Sequence, residues 1–125
     1  MPERYSVTQE QIDQIVLEDL SAYPFLVRPV YNARIRMNGK TSYLVYPSGR
    51  TEVKSIEIGK QDSPRRDFLI DTILHEWLEA EILAKQWIDE KYSILHRLSD
   101  EKRHKWIQNE IKKYFMRRGD AHDLV

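Results

Sequence analysis

An α+β fold is what this sequence predicts, and three patterns predict it. Apolar residues recur at helical spacing just after a capping signal near the start, apolar and polar residues alternate between turn dipeptides across the middle, and helical spacing returns through the second half. The order is one helix, three strands and two helices, with no internal repeat, low-complexity run or linker to divide them. Residues 1–125 are therefore read as a single domain, a size at which roughly two-thirds of the unfolded surface can be buried.

Thr8 followed by Gln11 forms a capping box, and Ile12, Ile15, Val16 and Leu20 carry an amphipathic helix to about Ser21. After Pro24 and Pro29, the residues Tyr31, Ala33, Ile35 and Met37 alternate with Asn32, Arg34 and Arg36, which predicts a half-buried strand. Asn38-Gly39 is the dipeptide of a type I′ turn, so residues 43–46 are expected to return as the second strand of a hairpin. Pro47-Ser48-Gly49 turns the chain into a third strand over residues 51–58. Its apolar phase slips between Val53 and Ile56, predicting a bulge near Ser55 and a three-stranded antiparallel sheet.

Beyond a polar break over residues 59–64, residues 65–91 read as one long helix, apolar along Leu69, Ile73, Trp77, Ala80, Ala84 and Ile88. A looser stretch through Leu95 and Leu98 ends at Ser99, an N-cap for a last helix bearing Ile107, Ile111, Tyr114 and Phe115. Gly119 is its expected stop, and residues 119–125 a loose tail. Trp77, Trp87, Trp106 and Tyr114 sit at helical spacing and are read as core packing.

Twenty lysines and arginines balance twenty aspartates and glutamates, so no overall field draws the chain to nucleic acid or an anionic membrane. Arg65-Arg66 and Lys112, Lys113, Arg117 and Arg118 are read as solvated charge and helix-dipole partners. With no cysteine, thiolate sites are excluded and His, Asp and Glu are the strong ligands available. The N-terminus lacks the apolar stretch of a signal peptide and no run approaches the ~20 apolar residues of a membrane span, which leads to the expectation of a cytoplasmic protein.

The chemistry is concentrated in His75-Glu76-x-x-Glu79. Residues four apart share one helical face, so His75 and Glu79 can grip one metal ion while Glu76 lies to the side. This is the geometry of the zinc-peptidase HExxH helix with glutamate as the second ligand, and zinc accepts a carboxylate oxygen at nearly the distance of an imidazole nitrogen. Such a set needs one more histidine. His104 falls three residues before Ile107 and seven before Ile111, on the inward face of the last helix; His96 is the reserve, and His122 has nothing to hold it. A chance H-E-x-x-[HE] arises in roughly four of a hundred such chains, so placement carries the argument. Without it, His75 and Glu79 are an i,i+4 polar pair worth a few tenths of a kcal/mol.

Residues 66–80, from Arg66-Asp67 through Asp71-Thr72-Ile73-Leu74-His75-Glu76-Trp77-Leu78-Glu79-Ala80, resemble the metal helix of SprT-like zincins and of short bacterial and phage zincin-like proteins. The likeness extends over residues 28–115. Residues 31–36 and 53–58 fall where those families place the sheet leading to the metal helix, and His104-Lys105-Trp106 resembles their third-ligand region. The resemblance implies a zincin-like fold, a zinc ion and peptide-bond hydrolysis. His75, Glu79 and His104 would be the ligands, Glu76 the general base, and a peptide or protein the substrate. Glu79 stands where the family pattern has its second histidine. A carboxylate there adds negative charge at the metal, which opposes proton loss from bound water. Tyr31 and Tyr92 are the tyrosines considered as oxyanion donors. The alternative is a catalytically silent metal-binding or protein-interaction module of the same fold.

Overall fold

The computed structural model describes residues 3–118, so Gly119, His122 and the tail expected over residues 119–125 lie outside the described residues. Thr8 begins the first helix through the expected reciprocal cap. Its hydroxyl accepts from the Gln11 N–H at 3.1 Å, and the Gln11 side chain accepts from the Thr8 N–H at 2.8 Å. Helix α1, Gln9–Gln14, widens into one π turn over Ile15–Asp19, where the Leu20 N–H reaches the Ile15 carbonyl at 3.0 Å. The face so formed buries Ile12, Ile15 and Leu20.

Strands β1 (Pro29–Tyr31), β2 (Gly39–Val45) and β3 (Thr51–Ile58) form a sheet in the order β1-β3-β2. It is mixed, not antiparallel throughout as expected: β2 runs antiparallel to β3, whereas β1 pairs with β3 in parallel, Val30 opposite Glu57. The strand expected over Tyr31, Ala33, Ile35 and Met37 does not form: β1 ends at Tyr31, where that strand was to begin, because Asn32 turns the chain. Its side chain accepts from the Arg34 N–H at 3.0 Å and donates to Glu57 at 3.0 Å.

Asn38-Gly39 likewise makes no hairpin turn; among the described residues Gly49, at φ 89°, is the glycine that takes up positive φ, and the hairpin is the one joining β2 to β3. Asn38 is committed elsewhere. Its carbonyl accepts from the Gly59 N–H at 2.9 Å and from the Gln61 amide at 2.8 Å, and its side-chain oxygen accepts from the Asp62 N–H at 3.0 Å. The expected bulge is present: Ser42 faces Ser55 and Tyr43 faces Val53, so Lys54 is the extra residue.

Helix α2, Arg66–Lys85, lies across β2 and β3 and is covered on its other side by α3 (Glu90–Arg97) and α4 (Asp100–Arg118). Sandwiched in this way it is buried nearly all round, with Leu69, Ile70, Ile73, Leu74, Trp77, Leu78, Ala80 and Ile82 in the core beside Ile56, Ile58, Ile107 and Ile111. The single long helix expected to reach residue 91 is in fact two. Asp89 is in extended conformation and accepts from the Lys91 N–H at 3.0 Å, capping a new helix across the stretch expected to be loose. Ile88, expected on the buried stripe, is consequently 82% exposed, and Trp87 also faces outward. Trp77 and Tyr114 are core residues as read, the Trp77 indole donating to the Pro24 carbonyl at 2.9 Å. Ser99 caps α4 as expected, accepting from the Lys102 N–H at 3.3 Å.

One buried polar knot fixes α2 against the chain that precedes β2. Gln61, fully buried, donates to the carbonyls of Asn38 and Gly59 at 2.8 Å each and accepts from the Thr72 hydroxyl at 2.7 Å. Among the described residues no helix is long and apolar enough to cross a membrane.

Candidate metal centre

One turn beyond Thr72, α2 presents His75 and Glu79 on the face that α4 approaches. Glu79 Oε1 lies 4.0 Å from His75 Nε2 and 4.0 Å from His104 Nε2, and the two imidazole rings stack at 5.2 Å between centroids. One ligand atom from each of the three residues falls within 4.8 Å of the others. The i,i+4 spacing on α2 and the alignment of His104 with Ile107 and Ile111 on α4 explain why the three converge. His104 remains half exposed, more open than a purely inward position implies.

This donor set fits a first-row divalent ion. Two imidazoles and one carboxylate suit zinc, whose tetrahedral ligands stand roughly 3.3 Å apart when bonds are ~2 Å long. The separations of 4.0–4.8 Å are too wide for hydrogen bonds and about an ångström wider than that shell, a closure side-chain rotation can supply.

Glu76 lines the same cavity, of about 320 Å³, but is held from the sheet side. The Thr41 hydroxyl lies 3.0 Å from both Glu76 Oε1 and the Glu76 carbonyl. Gly39 makes the approach possible, since a Cβ at that position would sit 2.8 Å from Glu76 Cγ. Gly39, Thr41 and Tyr43 are alternate residues of β2, so one face of the strand meets α2 and the cavity.

Electrostatics follow from the shelter. Burial, reinforced by the neighbouring His104, lowers the His75 imidazole to about 4, so it is neutral and available as a donor at pH 7. Burial raises the Glu76 carboxyl to about 7; the Thr41 bond pulls it down and the Glu79 charge pushes it further up. Glu79 is likewise raised by burial, with Arg103 and His104 opposing that shift.

His96, the reserve ligand, lines the cavity but stands exposed and outside the three-residue cluster. Tyr31 and Tyr92 do not line this cavity; the tyrosine that does is Tyr43. Sequence reasoning also missed Thr41 and Arg103. Strand alternation would have grouped Thr41 with Tyr43 had β2 been given its true start, whereas nothing in the spacing marks Arg103.

Comparison with protein-family models, with curated proteins and with solved structures found no match to this chain. What fold and site define together is an α+β protein with a His/Glu/His cluster between its central and last helices.

Proposed function

We propose that this protein is a zincin-like, zinc-dependent peptidase in which His75, Glu79 and His104 hold the metal and Glu76 is the general base. The observation that carries the reading is the convergence of those three side chains within 4.8 Å beside a cavity that Glu76 also lines. A zinc ion held there would polarise a peptide carbonyl and lower the pKa of a water toward ~7. Glu76, with a carboxyl pushed up to about 7, can take a proton and release it near neutral pH, the requirement for a general base that later acts as an acid. Thr41 and Gly39 fix its position from the sheet.

The substrate in this reading is an extended peptide or protein segment. β2 is an outer strand of the sheet, and Thr41 and Tyr43 line the cavity, so a segment adding to its free edge would lie alongside the ligands. Tyr43, Leu44, Val45 and Tyr46 are all exposed there.

The hydrogen bond from Thr41 also favours a second reading, a catalytically silent metal-binding or interaction module, because it commits Glu76 to the sheet. Glu76→Gln separates the two. In the peptidase, the variant keeps fold and zinc while losing most hydrolysis of a broad peptide library, His75→Ala loses zinc, and a chelator abolishes activity that zinc restores. Zinc binding by wild type with no hydrolysis above the Glu76→Gln background assigns the protein to the silent module.

A further inference from the structure

Arg103 precedes His104 on α4 and stands on the far side of the Glu79 carboxylate from the imidazoles. Its Nε lies 3.9 Å from Glu79 Oε2, while Oε1 of the same carboxylate lies 4.0 Å from each histidine. The carboxylate is thus divided, one oxygen toward the ligand cluster and the other toward a permanent cation. The guanidinium is anchored there. It donates to the carbonyl oxygens of His96 at 3.3 Å and Leu98 at 3.2 Å, and pairs with Asp100, whose side chain is almost fully exposed. At 20% side-chain exposure Arg103 is mostly sheltered, so its charge acts on Glu79 through little screening solvent.

We infer that Arg103 is the resident counter-cation of the metal site, holding Glu79 in the absence of a metal and setting how tightly a divalent ion can take that carboxylate. The inference rests on reading His75, Glu79 and His104 as metal ligands. Two effects oppose each other. Arg103 pre-organises Glu79, which favours the metal, but it also places a like charge one carboxylate away from a dication. Repulsion between a full charge and a dication at close range in a sheltered site exceeds the cost of ordering one side chain, so removal of Arg103 tightens metal binding. Asp100 works the other way: its carboxylate draws on the same guanidinium and adds negative charge beside the site. The consequence is a site that folds with its charge already balanced and takes up metal afterwards, unlike a structural zinc site whose ligands collapse only around the ion.

The test is zinc affinity measured by competition with a chromophoric chelator, with circular dichroism and thermal melts confirming the fold of each metal-free protein. Arg103→Gln should bind zinc roughly tenfold more tightly than wild type, and Arg103→Lys, which keeps the charge, within about twofold of it. Asp100→Asn, an exposed change that leaves every ligand in place, should weaken binding about threefold and keeps the test alive if Arg103→Gln fails to fold. A purely structural role for Arg103 predicts looser binding on its removal, so unchanged or weaker affinity in Arg103→Gln, or unchanged affinity in Asp100→Asn, overturns the inference. His75→Ala separates the two claims. If wild type binds zinc no better than His75→Ala, and the Arg103 variants likewise, the metal reading falls and this inference falls with it. If wild type binds and His75→Ala does not, only the Arg103 results decide.

Discussion

Helix α2 carries two clusters of sheltered polar side chains one turn apart, and they are built on opposite terms. At Thr72, the Gln61 amide is fully buried and both ends of it are bonded: two carbonyls take its protons and the Thr72 hydroxyl donates to its oxygen. At His75, the nearest approaches among the three candidate ligands are 4.0 Å, beyond hydrogen-bond distance. A satisfied knot holds elements together, since buried polar groups stabilise only when paired. A cluster whose members make no hydrogen bond to one another keeps ligand atoms free, and a bound ion can take them up. Function is therefore read from the second cluster and stability from the first.

Gln61→Leu is the change that breaks this contrast most severely. It takes the bonded amide away from the Gly59 carbonyl and the Thr72 hydroxyl, leaves the Asn38 carbonyl with only its bond from the Gly59 N–H, and should cost about 3 kcal/mol in denaturant unfolding. A loss under about 1 kcal/mol would show that the knot is not structural. Gly39→Ala comes next. Its methyl must displace Glu76, whose Cγ would lie 2.8 Å away, so stability should fall by about 2 kcal/mol and Glu76 should lose its bond from Thr41. His75→Ala is the counterpart within the open cluster, and metal-free unfolding should shift by no more than about 1 kcal/mol.

The pH dependence of stability divides Glu76 from His75. Glu76 titrates at about 7 in the fold against 4.5 unfolded, so its contribution is fully present below pH 4.5 and is lost as pH rises through 7. His75, lowered to about 4 from 6.5, contributes above pH 6.5 and loses that contribution as pH falls through 4. Glu76→Gln should accordingly remove a decline in metal-free stability between pH 4.5 and 7, and His75→Ala should remove the opposing acid-side decline, both visible in thermal melts across pH. Parallel profiles for wild type and both variants would refute the assigned shifts.

The parts of this molecule that were legible in the sequence are those decided within a few residues. The Thr8–Gln11 box, the bulge beside Ser55 and the Ser99 cap each depend on neighbours in the chain, and each is where the spacing put it. Pairing was not legible, because it depends on distant partners. Asn38-Gly39 has the composition of a hairpin turn, yet Asn38 is held by Gly59, Gln61 and Asp62, and Gly39 is required by Glu76. The break of the long helix at Asp89 was missed for a related reason: apolar periodicity continued through Ile88, and the cap overrode it.

The site divides in the same way. His75 and Glu79 follow from helical spacing and His104 from the stripe it shares with Ile107 and Ile111, whereas Thr41, Tyr43 and Arg103 arrive by sheet register and by the α3–α4 junction. Residues set by a local repeat could be named in advance. Those set by the meeting of two elements could not.

Whether the open cluster between α2 and α4 is a metal site is decided by equilibrium dialysis of the metal-free protein against free zinc. Wild type and Glu76→Gln should take up about one zinc per chain, and His75→Ala and Glu79→Ala none. No uptake by wild type, or equal uptake by wild type and His75→Ala, would contradict the metal-site reading.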